Sequence, residues 1–395
     1  MSMRTRMNVW KWLVALLLLS ETIAAQPRHL YLTWEEEDTA HTQTIVFQTV
    51  ERATDPRVEL VLEGQKIRTV ASKTVMFRGY SRRVHWVTLR DLKPYTVYTF
   101  RAGDSRFGMS PWRTFRTLPD DDTPIKFITG GDMYKHDATV ELLKAGAKQE
   151  PDVALIGGDI AYADGNFRKA LFWDDWLDNW DENLRHPDGR MVGMICAIGN
   201  HEVDGSFGQP KKHAPFYFAY FPQGGRSYFT RKLGSEIDLV VLDSGHVQSH
   251  ASQTSFLDRS LSQSKARFQV ALYHVPCYPT HRSYHDPYST AGRTHWVPIF
   301  DKHRLPLAFE NHEHTFKRTF PLRAGKVSEA DGTVYLGDGC WGRKPRKVSG
   351  RRWYHKKALS RRHIWMVESR KSGLFCQALD TEATVFDQVT IPNKR

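Results

Sequence analysis

Between residues 27 and 118 the apolar positions recur in short runs separated by turn residues. "HLYLTWE", "TIVFQTV" and "VYTFRAG" are β-rich, and in "RVHWVTL" Val84, Trp86 and Thr88 alternate with His85 and Val87. A period of two marks a strand with two unlike faces. Several such strands at short spacing predict a β-sandwich. The polar, proline-bounded "PDDDTP" at 119–124 reads as a linker. Beyond it the pattern changes. "IKFITGGD" is a short buried strand, "DATVELLKAGAKQE" follows with Asp137 as a candidate N-cap and Val140, Leu143 and Ala147 near helical period, and "PDVALIGGD" is a second strand. A strand–helix–strand unit predicts parallel pairing through a right-handed crossover. "MICAIGN", "IDLVVLDS", "FQVALYH" and "LPLAFEN" continue the strand series, with a helix, "TSFLDRSLSQSKA", before "FQVALYH". The fold class is therefore α/β over residues 125–392, preceded by an all-β module.

The strand ends share a feature. The first closes on Asp132, the second on Asp159, the third on Asn200 and His201, "FQVALYH" on His274, and "LPLAFEN" runs into His312 and His314. One Asp after a strand is ordinarily a turn residue, and His274 or Tyr162 taken alone reads as a packed core residue. Five strand ends carrying Asp, Asp, Asn, His and His-x-His form a series, placed at the sheet edge where α/β proteins bind ligands. Within "FENHEHTFKRTF", side chains two apart point to one side of an extended chain. His312 and His314 can thus converge while Glu313 points away. A thermolysin-like HExxH reading fails, because Phe316 stands four after His312.

In order, "GGDMY", "GGDIAY", "GNHE", "LYH" and "NHEH" resemble the five motifs of the calcineurin-like metallophosphoesterases. Two further features resemble the purple acid phosphatases within that superfamily. Tyr162 stands three after Asp159, and a module with Leu92, Pro94 and Tyr98 in a fibronectin type III-like pattern precedes the catalytic part. The resemblance implies a two-sheet α/β/β/α sandwich over 125–392 behind a fibronectin III-like module over 27–118, with Tyr98 as its corner tyrosine. It also implies a binuclear centre of Fe(III) and a divalent zinc, manganese or iron ion. Carboxylate and phenolate oxygens suit a hard trivalent ion, and imidazoles with an amide oxygen suit a borderline divalent one. By the family pattern Asp132, Asp159, Tyr162 and His314 hold the first ion. Asp159, Asn200, His274 and His312 hold the second, with Asp159 bridging. His201 faces the phosphate and assists the leaving group, Glu202 stands behind the ligands, and His281 and His285 are further catalytic candidates, with His281 favoured. The implied activity is hydrolysis of phosphate monoesters by a metal-bound hydroxide. Hydrolysis of phosphodiesters, nucleotides or polyphosphates on the same site, and a binding protein with a degenerate site, are the competing readings.

The chain departs from the family at two motifs. Tyr134 stands where the purple acid phosphatases usually have Gly, in a slot from which a side chain can reach the first ion; two tyrosines would crowd that ion, so Tyr162 is expected as the ligand with Tyr134 lining the rim, and His136 nearby is a candidate for substrate contact. Asn311 replaces the Gly expected at the ligand turn. Asn tolerates the left-handed conformation best after Gly, so the turn is expected to survive.

The chain of 395 residues is long enough for two sizeable cores. Arg4, Arg6 and Lys11, an apolar run at 12–19 too short to span a bilayer, and Ala24 and Ala25 read as a signal peptide over 1–25, which predicts an extracytoplasmic protein. An uncleaved anchor is the alternative, and no later run is apolar enough to cross a membrane. Export permits disulfides, but Cys196, Cys277, Cys340 and Cys376 allow three pairings or none. The net charge is +12, and much of the excess lies at 343–362, interleaved with Trp353 and Tyr354. That segment reads as a solvated basic loop or as a surface for a polyanionic substrate, with nucleic acid possible only as substrate.

Overall fold

A computed structural model describes residues 27–50, 53–76, 82–104 and 108–393, with the side chain of residue 50 left aside. The signal-peptide reading falls on residues outside these. Two sheets form the N-terminal module. One runs Arg28–Thr33, Gln43–Val50, Arg82–Leu89, Lys73–Met76, and the other is built on Gln65–Ala71, Pro56–Leu62 and Val97–Asp104. Val58, Leu60, Phe47, Val87, Leu89, Phe100 and Phe115 fill the space between them. Tyr98 is buried, and its hydroxyl accepts a hydrogen bond from the Lys93 backbone N–H at 2.8 Å, which pins the corner of the chain.

Two further sheets lie face to face. The first has the order Gly193–Cys196, Val153–Ile156, Lys126–Gly130, Ile364–Arg370, Gly373–Leu379, Val385–Ile391. Its first three strands are parallel, with Phe127 opposite Val153 and Val153 opposite Gly193, as the strand–helix–strand pattern requires. "VALI" and "GMIC" are buried on both faces, which is why they read as unbroken apolar runs. The second sheet has the order Phe229–Leu233, Ile237–Val241, Phe268–Leu272, Leu307–Phe309, Val334–Gly337, Phe316–Thr319, His355–Leu359. Phe127, Leu155, Ile195, Leu239, Val270, Leu307 and Trp365 pack between the sheets. Helices Asp137–Ala147, Leu171–Asn183 and Pro215–Tyr220 cover the outer face of the first sheet. Thr254–Gln263, Pro287–His295 and Val297–His303 cover the second. The result is a two-sheet α/β/β/α sandwich behind a β-sandwich module. No described helix is long and apolar enough to cross a membrane.

Three features differ from expectation. The helix Asp137–Ala147 has His136 as its N-cap and no side-chain cap bond; Asp137 is its first residue, where its charge favours the positive end of the helix. Helix Leu171–Asn183 was not read from the sequence, although Trp173, Trp176, Leu177 and Trp180 follow helical spacing and are all buried. All four cysteines are buried free thiols, so the disulfide reading gives way to the free-thiol one.

At the ligand edge of the second sheet, Lys317 is fully buried between Glu310 and Asp338, and its ammonium also donates to the Tyr278 carbonyl at 2.6 Å. Replacing Lys317 with Met leaves two buried carboxylates without a cation. A loss of about 3–5 kcal/mol is expected in urea unfolding. Adding Glu310→Gln and Asp338→Asn to that variant should recover part of it; no recovery would show that the charges are not what the lysine offsets.

Candidate metal centre

The site forms where strands of both sheets end. Beyond the paired strands Lys126–Gly130 and Val153–Ile156, the two loops stay zipped: Asp132, Met133 and Tyr134 donate their backbone N–H to the carbonyls of Gly158, Asp159 and Ile160. Asp132, Asp159, Tyr162, His312 and His314 all have positive φ, between +53° and +77°. Each ligand candidate sits where the chain reverses after a strand, so its side chain is turned back over the sheet edge.

Asp132, Asp159, His274 and His312 are buried, and one ligand atom from each lies within 4.8 Å of the others. His274 fits its Nδ1 against the Gly157 carbonyl at 2.7 Å, which leaves Nε2 facing inward. That nitrogen lies 3.0 Å from His312 Nδ1, 3.2 Å from Asn200 Oδ1 and 3.3 Å from Asp159 Oδ1. With the Nδ1 proton given to a carbonyl, four lone-pair atoms converge on one point, an arrangement that suits a cation. The second ligand group adjoins it. Asp132 Oδ1 is 2.9 Å from His314 Nε2 and 3.4 Å from the Tyr162 hydroxyl, which is itself 3.3 Å from His314 Nε2.

The electrostatics carry the same message. Burial disfavours a charged His274, but the Asp159 carboxylate outweighs it and raises its pKa to about 9. Burial and the His274 charge push His312 well down. Burial would raise Asp159, but His274 and His201 hold its carboxyl well below the usual range. The buried carboxylates thus favour positive charge at this point. Tyr162 is pushed well up by burial and by Asp132, with the Arg343 guanidinium over its ring opposing.

His201 donates its backbone N–H to Asp159 Oδ1 at 2.8 Å, and its Nε2 stands 3.9 Å from Asp159 Oδ2. Its Nδ1 meets Asp164 Oδ1 at 2.5 Å, and Lys169 pairs with the same carboxylate. Asp164 was not singled out in the sequence: it lies in no motif, and only the fold brings it to His201. Glu202 is buried and accepts from the backbone N–H of Asp159, Ile160 and Gly199, joining two strand-end loops; burial and the Asp159 charge raise its pKa to about 7. Glu313 does point away from the cluster. It accepts from the backbone N–H of His281 and Arg282 and from the Arg282 guanidinium. His281 is thereby anchored next to the His312–His314 turn, with Nδ1 on the Lys347 carbonyl at 2.8 Å. His285 is exposed and packs on Tyr284, and nothing among the described contacts brings it to the cluster. Tyr134 lies edge-on to Tyr162 at 5.6 Å and to His136 at 4.5 Å, on the outer side of the site, with His136 exposed. Its ring also meets that of Phe172, centre to centre at 5.6 Å.

Asn311 departs from expectation. It is not left-handed; the positive φ falls on His312 and His314 instead. Its side chain donates from Nδ2 to the Tyr273 carbonyl at 3.0 Å and fills the space over two glycines. A Cβ on Gly157 would lie 1.8 Å from Asn311 Nδ2, and one on Gly131 would lie 2.7 Å from Asn311 Oδ1. Asn311 is a buried spacer between three ligand loops.

A family model described as the purple acid phosphatase N-terminal domain matches residues 27–117. Purple acid phosphatase 21 of Arabidopsis thaliana is 25% identical over 289 residues, which is 66% of this chain and 59% of that protein. Purple acid phosphatase 1 of Ipomoea batatas is 24% identical over 310 residues, 70% of this chain and 64% of its own length. The chain thus spans under two thirds of the length of these relatives. The structure of a purple acid phosphatase from yellow lupin (Lupinus luteus) seeds superposes with a TM-score of 0.78 at 15% identity, over 93% of this chain and 74% of the lupin one. That likeness shows the fold. The resemblance implied by the strand-end motifs therefore holds in the N-terminal module, in the related sequences and in the architecture.

Changing Asn311 to Gly is expected to destabilise the protein by about 2 kcal/mol in urea unfolding, through the lost buried hydrogen bond and the space left over Gly131 and Gly157. An unchanged midpoint would mean that the residue only stands in for a glycine.

Proposed function

We propose that this chain is a secreted acid phosphatase with a binuclear metal centre that hydrolyses phosphate monoesters. The observation that carries this reading is the convergence of Asp132, Asp159, His274 and His312, buried and mutually within 4.8 Å, from four separate loops. Asp132, Asp159, Tyr162 and His314 would hold Fe(III), and Asp159, Asn200, His274 and His312 a zinc, manganese or iron(II) ion. When bound, such a pair clamps phosphoryl oxygens and lowers the pKa of a water that supplies the nucleophile. The donor chemistry supports the division: oxygen-rich around Asp132 and Tyr162, imidazole-rich around His274 and His312. The division of the chain at 27–118, 119–124 and 125–392, and a signal peptide over 1–25, belong to the same reading.

The remaining work falls to the protein's own groups. A leaving alkoxide needs a proton. His201 can give one from Nε2, with Asp164 accepting from Nδ1 and holding the ring in place. Against burial, Lys169 and His201 hold the Asp164 carboxyl below the usual range, so it stays ionised to do this. His201, Tyr134 and His136 would meet the substrate. Anchoring on Glu313 supports His281 over His285 as a second catalytic histidine.

Metal analysis of the purified protein, with turnover of a phosphate monoester before and after chelation, tests the proposal. Two bound metal ions per chain, and activity lost on chelation and restored by iron with zinc or manganese, are expected. A metal-free protein that stays inactive with all of these ions would overturn it. Loss of the visible tyrosinate-to-iron band in Tyr162→Phe but not in Tyr134→Phe is the accompanying spectroscopic expectation. Asp164→Asn should lower kcat on a monoester by about 10–100-fold with KM nearly unchanged. A pure KM effect would place Asp164 in binding instead.

A further inference from the structure

The basic run at 343–362 is a mixture of paired and unpaired charges. Lys357 pairs with Asp387 and Arg361 with Asp380, and elsewhere near the site Arg282 pairs with Glu313. Arg343 is different. Among the described residues it forms no ion pair with a carboxylate, and its Nε is buried without a hydrogen-bond partner. Its guanidinium carbon lies 4.5 Å from the Tyr162 ring centre and 5.3 Å from that of Tyr134. The Tyr162 ring also meets His201, centre to centre at 4.0 Å. An unpaired guanidinium therefore shares one aromatic ring with the residue assigned to the leaving group.

This position is built rather than incidental. The backbone N–H of Gly342 and of Arg343 both donate to the Asp132 carbonyl at 3.1 Å, Trp341 N–H donates to Gly131, and Arg346 N–H to His314. Arg346 Nη1 reaches the His312 carbonyl at 3.2 Å. The segment 341–346 is thus laced across the backbone of ligand candidates from both sheets. Gly342 lies so flat that a Cβ there would meet Thr139 Oγ1 at 1.8 Å and the Met133 carbonyl at 2.0 Å. Trp341 is fully buried beneath. A strap fixed at that many points holds the Arg343 side chain against Tyr162 in one place.

We propose that Arg343 binds phosphoryl oxygens of the substrate and thereby makes the site prefer a phosphoryl group with two free charges, a monoester, over a phosphodiester. This rests on the phosphatase reading above. A guanidinium offers N–H donors in a planar fork that fits two oxygens of one phosphate. A monoester has enough free oxygens to meet both the centre and the fork. A diester carries one charge fewer and replaces one of those oxygens with an ester, so it loses a partner of the fork. The cation–π contact with Tyr162 holds the guanidinium beside the candidate ligands without using its N–H donors on a carboxylate.

The test compares Arg343→Ala and Arg343→Lys with the metal-loaded wild-type protein. Orthophosphate affinity is read by calorimetry, and kcat/KM is read for a monoester and a diester of the same aryl alcohol. Arg343→Ala should weaken orthophosphate binding about tenfold and lower monoester kcat/KM by a similar factor, mainly through KM, with the diester changed less than about threefold. Arg343→Lys should fall between, since it keeps the charge and loses the fork. Lys344→Ala, which removes an exposed neighbouring cation, should leave both readouts unchanged. Equal losses on both esters, unchanged orthophosphate affinity in Arg343→Ala, or an equal loss in Lys344→Ala would each overturn the assignment. A purely structural role would shift the unfolding midpoint without altering the ester ratio. If the wild type binds orthophosphate but hydrolyses neither ester, the phosphatase reading fails and Arg343 is judged on binding alone.

Discussion

One buried ammonium organises the edge on which the candidate site is built. Lys317 has no exposed surface, and neither do Glu310 and Asp338 beside it. Burial works against its charge, yet Asp338 and Glu310 keep its pKa raised. Two carboxyls share one cation, so one of them is disfavoured as an anion: burial pushes Asp338 up to about 8, against the pull of Lys317. A buried group of this kind is tolerated only if its other oxygens are satisfied. Glu310 accepts from the Tyr273 hydroxyl at 2.7 Å and the Cys277 N–H at 2.6 Å, and Asp338 from Thr280 at 2.5 Å. Each of these partners lies close in sequence to a site residue: Tyr273 next to His274, Glu310 two before His312, Lys317 three after His314, Thr280 next to His281. The triad fixes those backbones from below, so the ligand turns above can be strained without drifting.

The strain is visible in the backbone. Asp132, Tyr134, Asp159, Tyr162, His312 and His314 are all left-handed, a conformation that costs a non-glycine residue roughly 1–2 kcal/mol. Such strain persists where surrounding structure over-determines it. Here the extra backbone ladder between 132–134 and 158–160, the three N–H groups gathered by Glu202 and the two gathered by Glu313 do so. Both glutamates flank candidate ligands in sequence, and each turns from the cluster to hold a loop.

The series of candidate ligands stood out in the sequence because it repeats: a strand, then a donor, five times over. The fold class followed from the same runs. What was not legible depends on contacts made across the chain. Asn311 looked like a substitute for glycine, because its role as a spacer requires Gly131 and Gly157 to stand opposite it. Asp164 was not picked out, because His201 reaches it from 37 residues away. Lys317 and Glu310 lie on either side of the histidine pair in "FENHEHTFKRTF", where a lysine mid-strand reads as a solvent-facing charge. Free cysteines could not be told from paired ones by spacing alone; the structure buries all four apart from one another. The C-terminal antiparallel strands went unread because no catalytic motif drew attention to them.

The polar segment 119–124 suggests two bodies on a tether, but the packing argues for one. Along Arg82–Leu89, Val87 and Leu89 face the core of the N-terminal sandwich, while Val84 joins the cluster that covers the first of the two face-to-face sheets. Trp86 donates to the Ala219 carbonyl and Tyr31 to the Tyr220 carbonyl, both at 2.7 Å. Trp34 enters the core between the two sheets, and Gly193 is bare where it does: a Cβ there would meet the indole at 2.6 Å. The same cluster that takes in Tyr31, Val46 and Val84 contains Ile156, Ile160 and Cys196, the apolar residues beneath the Asp159 and Asn200 turns. Along this strand Val87 and Leu89 are buried and Trp86 and Thr88 half-buried, so the two unlike faces of "RVHWVTL" are both covered, one more fully than the other. The N-terminal module thus forms part of the wall on which two of the candidate ligand loops rest, and its docking bears on the geometry of the candidate site.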